Sequence, residues 1–188
     1  VKDGEIWHYI KIDKEIKVGD KVIGEINWER RYKNMRIHSA AHVIDFAMYL
    51  LGYSPSKLQP QKGEHGKKAY IVYSGVVTED FREKLENKAN ELVQKGMKFS
   101  WSFKPFEELQ KEAIYLQPNL PINKPLRVLS LEEVGSVADG GTIVANTSEV
   151  GKIVVSSIKT EDGNTIVEYK VEESNQIASA ISRGIKVN

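Results

Sequence analysis

The chain has 188 residues, enough for one sizeable domain or two small ones. Its 27 Lys and Arg against 26 Asp and Glu leave a formal charge of +1, which excludes a polycation that grips nucleic acid by charge alone but leaves room for a local basic patch. Cysteine is absent, so a disulfide framework, a thiolate metal site and a cysteine nucleophile are all excluded.

No apolar run reaches the ~20 residues of a membrane helix, and the first residues lack a basic-then-apolar leader pattern. A soluble, cytoplasmic protein with no membrane partner is expected. The sequence opens at Val1 directly in strand-like residues, so a chain processed or trimmed at that end is expected.

Residues 5–12 (EIWHYIKI) and 21–26 (KVIGEI) are rich in β-branched and aromatic residues and flank a Gly19-Asp20 turn, which predicts a small β module over 1–27. From Asn34 to Leu51 apolar residues recur at helical spacing (Met35, Ile37, Ala41, Ile44, Met48) and Gly52 is a natural stop, predicting a helix. Residues 53–68 read as a loop and 69–77 as a strand. Thr78 is a candidate N-cap for a helix over 79–95, with Phe81, Leu85, Ala89 and Leu92 on one face and Gly96 at its end. A strand over 99–103, a short helix over 105–115, a proline-rich connection over 117–125 and a strand over 127–131 follow. Residues 135–151 form a glycine-rich turn region. Strands over 152–160 and 164–171 around Glu161-Asp162-Gly163 make the clearest hairpin, and the tail over 172–188 has the pattern of a last helix. This order predicts an α+β fold, helices on an antiparallel sheet, with the main domain over 28–171.

The chemistry-bearing residues are few. Of the four histidines, His8, His38, His42 and His65, His38 and His42 stand four apart on the predicted helix and share one face. Such a pair can bring two imidazoles to one metal ion, or can be two polar residues where the helix leaves the core. The HExxH pattern of a metalloprotease is excluded, because Ser39 follows His38. The stretch ADGGTIVANTSEVG places Gly140 and Gly141 together, which lets a backbone approach a ligand closely or simply makes a sharp turn. Thr142, Asn146, Thr147 and Glu149 add polar groups. Arg30, Arg31, Lys33 and Arg36 form a basic cluster beside Trp28 and Tyr32, and Lys62, Lys67 and Lys68 form a second.

RIHSAAHVIDFAMYLLG resembles the HxxxH segment of the alanyl-tRNA editing domain, and ADGGTIVANTSEVGKI resembles the second signature of that family, a Cys-Gly-Gly-Thr-His stretch followed by an Asn-Thr-Glu-(Ile/Val)-Gly run. GDKVIGEINWERRYKNMR is similar to the segment leading into the first histidine of free-standing members of the AlaX type, and TEDFREKLENKANELV to the helix between the motifs. The resemblance runs from about Gly4 to Ile158.

It implies hydrolysis of tRNA(Ala) mischarged with serine or glycine, in trans, by metal-assisted cleavage of the ester bond. Editing of this kind exists because a pocket for a small side chain rejects near-isosteres poorly by binding alone. The family's zinc ligands map here onto His38, His42 and Asp139, the last in place of a cysteine, while Ile143 stands where the final histidine belongs. Asp139 can ligate zinc through oxygen and Ile143 cannot ligate; His65 is the histidine left to recruit. Gly140, Gly141 and Thr142 are the expected substrate-binding residues. Arg30, Arg31, Lys33 and Arg36 are the expected contacts to the acceptor end of tRNA(Ala). No residue is assigned as general base. The competing expectation is a non-catalytic protein on the same fold, natural or an engineered scaffold, with a degraded metal site and an incomplete β module.

Overall fold

A computed structural model describes residues 5–172. Its centre is helix α1, Trp28–Leu50. The helix starts six residues before the expected position because Asn27, not a residue near 34, caps it: the Asn27 side chain accepts the Arg30 N–H at 2.9 Å. From Ser39 to Met48 every residue of α1 is buried. Most of this stretch is apolar, as befits a helix enclosed by other elements, and its buried polar residues are Ser39, His42 and Asp45.

Two antiparallel sheets surround it. The first has the order β1-β2-β7-β6 and the second β3-β4-β5, where β1 is Gln59–Glu64, β2 Ala69–Ser74, β3 Phe99–Lys104, β4 Leu126–Leu131, β5 Gly135–Ala138, β6 Lys152–Glu161 and β7 Asn164–Glu172. Helix α2, Arg82–Lys95, packs on α1 and β6, and the short α3, Phe106–Glu112, rests on the second sheet. The fold is therefore α+β with antiparallel sheets, as expected, although the strands divide into two sheets rather than one. The main core joins Phe46, Ile44 and Met48 of α1 to Tyr73, Leu85, Leu129 and Ile153, while Leu109, Leu126, Val128 and Ala138 form a smaller cluster under α3.

The β6–β7 hairpin forms as read. Glu161 pairs with Asn164, and Asp162 and Gly163 turn the chain with φ of 49° and 76°, both left-handed, as a two-residue hairpin loop of this hand requires. Gly96 ends α2 in the same region at φ 63°, a conformation that costs glycine nothing. At the start of α2 the expected cap is corrected: Phe81, not Thr78, holds the N-cap position, and the Asp80 carboxylate accepts the Arg82 N–H.

Two expectations fail. The loop over 53–68 contains strand β1, whose polar sequence (QPQKGE) carries Pro60 and a bulge; both suit an edge strand borrowing its ladder from the apolar β2. Conversely, the strands expected over 5–12 and 21–26 do not form. Apart from a bridge at Glu5, residues 5–27 have no strand pairing among the described residues, and all are exposed. Alternation alone cannot hold a strand without a neighbour to complete its hydrogen bonds and bury one face. The helix expected in the tail lies outside the described residues. Among these, no helix is long and apolar enough to cross a membrane.

Arg36 corrects the reading of the basic cluster. It is 2% exposed, and its Nε donates to the Glu149 and Val150 carbonyls at 3.1 and 3.0 Å while Nη2 donates to the Glu172 carbonyl at 3.2 Å. It ties α1 to β7 and is not available to a phosphate. Arg36→Met is expected to lower stability by about 3 kcal/mol, since buried carbonyls left without a donor cost ~1–3 kcal/mol each. Urea unfolding checks this, and a loss below about 1 kcal/mol would count against the structural role.

Candidate metal centre

Helix α1 presents His38 and His42 one turn apart, and the strand β5 ends at the turn that begins with Asp139. The helix and the turn meet so that Asp139 Oδ1 lies 3.3 Å from His38 Nε2 and 3.4 Å from His42 Nε2. The three ligand atoms lie within 4.8 Å of one another. Two of the expected metal residues thus come from one helix and the third, about 100 positions on in sequence, joins them in space.

Two of the three donors, His38 and Asp139, are held from behind. The His38 Nδ1 faces the Thr142 carbonyl at 3.2 Å; a carbonyl only accepts, so Nδ1 carries a hydrogen, and Nε2 is the ring nitrogen that faces Asp139 and that would ligate a cation once deprotonated. The other carboxylate oxygen, Asp139 Oδ2, accepts the Gly141 N–H at 3.1 Å and Arg127 Nη1 at 3.2 Å. Arg127 Nη1 also donates to the Asp139 and Gly141 carbonyls at 3.0 and 2.8 Å, and its guanidinium lies 5.3 Å from the centre of the Trp101 ring. Gly141 has a strict spatial role. A Cβ there would sit 2.1 Å from His38 Cε1 and 2.6 Å from Nδ1, whereas a Cβ at Gly140 would meet nothing within 4 Å.

His38, His42 and Asp139 are electrostatically coupled. Burial pushes the Asp139 carboxyl up, but the imidazoles of His38 and His42 outweigh it and hold the group well below the usual carboxylate range. Burial pushes His38 down, yet Asp139 and the Thr142 carbonyl raise it overall. His65 is pushed down to about 4, first by burial and then by His38 and His42.

Zinc fits these residues on two observations. Both ring nitrogens of His42 are buried without a hydrogen-bond partner, a costly state for an imidazole that a metal at Nε2 relieves. The two imidazole–carboxylate separations of 3.3 and 3.4 Å also match the ~3.3 Å edge of a tetrahedral shell with ~2.0–2.1 Å bonds to nitrogen and oxygen, within a set that spans up to 4.8 Å.

The cavity in front of the triad has a volume of about 160 Å³ and is lined also by Asp45, His65, Tyr115 and Gln117. Asp45 was missed by sequence reasoning. It sits three residues past His42 on the same helix face and is buried, and it accepts the Tyr73 and Tyr115 hydroxyls at 2.5 and 2.9 Å. Burial raises its carboxyl, against the influence of His42 and the two tyrosines. An acidic residue seven after a candidate ligand histidine was the available signal. Arg127 and Trp101 carried no motif and were equally missed.

The remaining expected residues divide. Gly140, Gly141, Thr142 and Ile143 line a second cleft of about 390 Å³ on the other side of the turn, with Trp101 and Arg127; the Gly141 N–H is already engaged by Asp139. Ile143 is half-buried and packs on the main core. Asn146 and Glu149 cap a short 3-10 turn over Thr147–Glu149, Tyr32 donates to Glu149, and Thr147 donates to the Leu92 carbonyl, so this run serves the fold. Trp28 and Tyr32 stack on each other, with ring centres 5.9 Å apart. Arg30 and Lys33 line a groove of about 550 Å³ together with Lys67, Lys170 and His65. Parts of both sequence clusters therefore share one basic surface. Arg31 is half-buried and Lys62 lines the small cavity.

Histidines on a buried helix, facing a carboxylate on a glycine-rich turn between two antiparallel sheets, define the chain as an α+β protein with a His-His-carboxylate centre. No family model matches it. It is 30% identical to the alanyl-tRNA editing protein AlaX-M of Saccharolobus solfataricus over 184 residues, covering 91% of this chain and 72% of that protein. It is also 33% identical to the alanine–tRNA ligase of Saccharolobus islandicus over 174 residues and to that of Methanococcus maripaludis over 177, in each case spanning 19% of the ligase. The chain belongs to the alanyl-tRNA editing protein family.

Proposed function

We propose that this chain hydrolyses the ester bond of tRNA(Ala) mischarged with serine or glycine, acting in trans in the cytoplasm. The observation that carries the reading is the meeting of His38, His42 and Asp139 in one cavity, in a chain whose family edits alanyl-tRNA.

His38, His42 and Asp139 would hold a zinc ion, which when bound supplies Lewis acidity toward an ester carbonyl. The protein's own contribution is positioning. Thr142 orients His38 through its carbonyl, and Arg127 and Gly141 fix the carboxylate. Because the Gly141 N–H is committed to Asp139, substrate contacts from this turn fall to the Gly140 N–H and the Thr142 hydroxyl, both on exposed residues that line the second cleft. The open space at Gly140 lets the aminoacyl end come close to the backbone. Arg30 and Lys33, joined by Lys67 and Lys170, would take the phosphates of the acceptor end, and their groove reaches the metal cavity through His65, which lines both.

One observation favours a second reading, a non-catalytic protein on this fold: Ile143 packs on the core where the resemblance puts a ligand. A deacylation assay with zinc supplied separates the two. The expected result is release of serine from seryl-tRNA(Ala) with alanyl-tRNA(Ala) left largely intact, and loss of that release in His38→Ala. Release no faster than the uncatalysed rate establishes the non-catalytic reading.

A further inference from the structure

We infer that His65, at the start of the β1–β2 turn, is a ligand of the metal centre and replaces the donor that position 143 no longer provides. The inference rests on the metal-centred reading above and names a ligand from a different part of the fold than either motif.

Position 143 has left the centre. Its side chain packs on the main core and lines the cleft beyond the Asp139–Thr142 turn, not the cavity of His38, His42 and Asp139. Two further histidine or carboxylate side chains line that cavity, His65 and Asp45. Asp45 is already occupied: each of its oxygens accepts a tyrosine hydroxyl. His65 is not occupied in that way. Its ring lies 4.6 Å from that of His38, centre to centre, much as His38 lies 4.8 Å from His42. The His38 ring thus neighbours both others; the His65 nitrogens lie outside the close set of His38, His42 and Asp139, so ligation by His65 requires its side chain to turn toward that set.

The hydrogen bonds behind His65 set its tautomer. The Tyr169 hydroxyl donates to the Ile37 carbonyl at 3.0 Å. Its hydrogen is therefore spent, and toward His65 Nδ1, 3.0 Å away, it can only accept. Nδ1 carries the hydrogen and Nε2 keeps its lone pair. This is the arrangement of a ligating histidine, whose other ring nitrogen donates to a neighbouring acceptor, and it repeats what the Thr142 carbonyl does for His38. The relay also anchors the turn to α1, since Ile37 directly precedes His38. Gly63 makes the space. A Cβ there would lie 2.7 Å from His65 Cε1 and 3.1 Å from Nε2, so the ring occupies the place a side chain would fill.

The test counts ligands without using activity. X-ray absorption on the zinc-loaded parent protein is expected to show three imidazoles and oxygen; two imidazoles overturn the inference. Zinc affinity, by competition with a chromogenic chelator, is expected to fall at least tenfold in His65→Ala, with a changed visible spectrum of the cobalt-substituted protein. Equal affinity and an identical cobalt spectrum overturn the inference. His38→Ala separates this from failure of the underlying reading: if it alone abolishes binding, the centre stands without His65, and if the parent binds no zinc, both fall. Tyr169→Phe removes the acceptor behind Nδ1 and leaves the ring in place. A smaller loss of affinity there supports a ligand oriented from behind, and no loss counts against it.

Discussion

Gly141→Ala is expected to weaken zinc binding by at least 100-fold, while Gly140→Ala, one residue away, is expected to leave it unchanged. Neither glycine adopts a backbone conformation reserved for glycine, so strain does not separate them and space does. The alanine methyl at 141 would lie 2.1 Å from His38 Cε1, a separation that real atoms do not adopt. The backbone of the turn cannot yield easily, because Arg127 grips the Asp139 and Gly141 carbonyls. The imidazole must therefore rotate away, which breaks its bond to the Thr142 carbonyl and turns Nε2 off the shared point. Loss of one positioning partner behind a ligand costs about 10–100-fold in affinity, and displacing the ligand itself costs more. Chelator competition reads the affinity, and melting of the metal-free proteins shows that both variants fold. Equal affinities would mean that His38 is not a ligand in the seated position.

The same residues show what was legible in the sequence. The His38/His42 pair and the glycine turn announced themselves because helical spacing and adjacent glycines are local patterns. The β6–β7 hairpin was legible for the same reason. Strand β1 was not: its burial and pairing come from β2, and nothing in QPQKGE alternates. Asn27, the cap of α1, was overlooked because apolar periodicity begins only later, and a cap acts before it. Arg36 looked like its exposed neighbours Arg30 and Lys33, yet the 3.6-residue turn carries it inward to three carbonyls. Arg127 and Trp101 gained their roles from tertiary contact alone, whereas Asp45 carried a local signal, an acidic residue seven past His38, that went unread. The candidate centre was thus readable as far as its residues lie in motifs, and silent where a supporting group such as Arg127 arrives from another element.

Arg127→Lys is expected to lower zinc affinity by about 10–100-fold, the range for a lost partner behind a ligand, although the charge is kept. Removing the charge as well, as in Arg127→Met, would confuse two opposing effects. A cation beside the site repels zinc, and the same cation holds Asp139 in place. Lysine keeps the repulsion and removes the hold. Arg127 Nη1 reaches Asp139 Oδ2, the Asp139 carbonyl and the Gly141 carbonyl at 3.2, 3.0 and 2.8 Å, while the planar guanidinium lies over Trp101. An ammonium on a flexible stem has neither the flat face nor the rigid fork for this set. With the turn released, Asp139 keeps the Gly141 N–H at Oδ2 but loses the fixed aim of Oδ1 toward His38 and His42. A carboxylate needs that aim because it has two oxygens able to take the metal, whereas a thiolate in its place has one donor atom. The expected signature is weaker zinc binding with a metal-free melting temperature within a few degrees of the parent. Unchanged affinity would show that the Gly141 N–H alone holds Asp139, and that Arg127 serves only the packing of the second sheet.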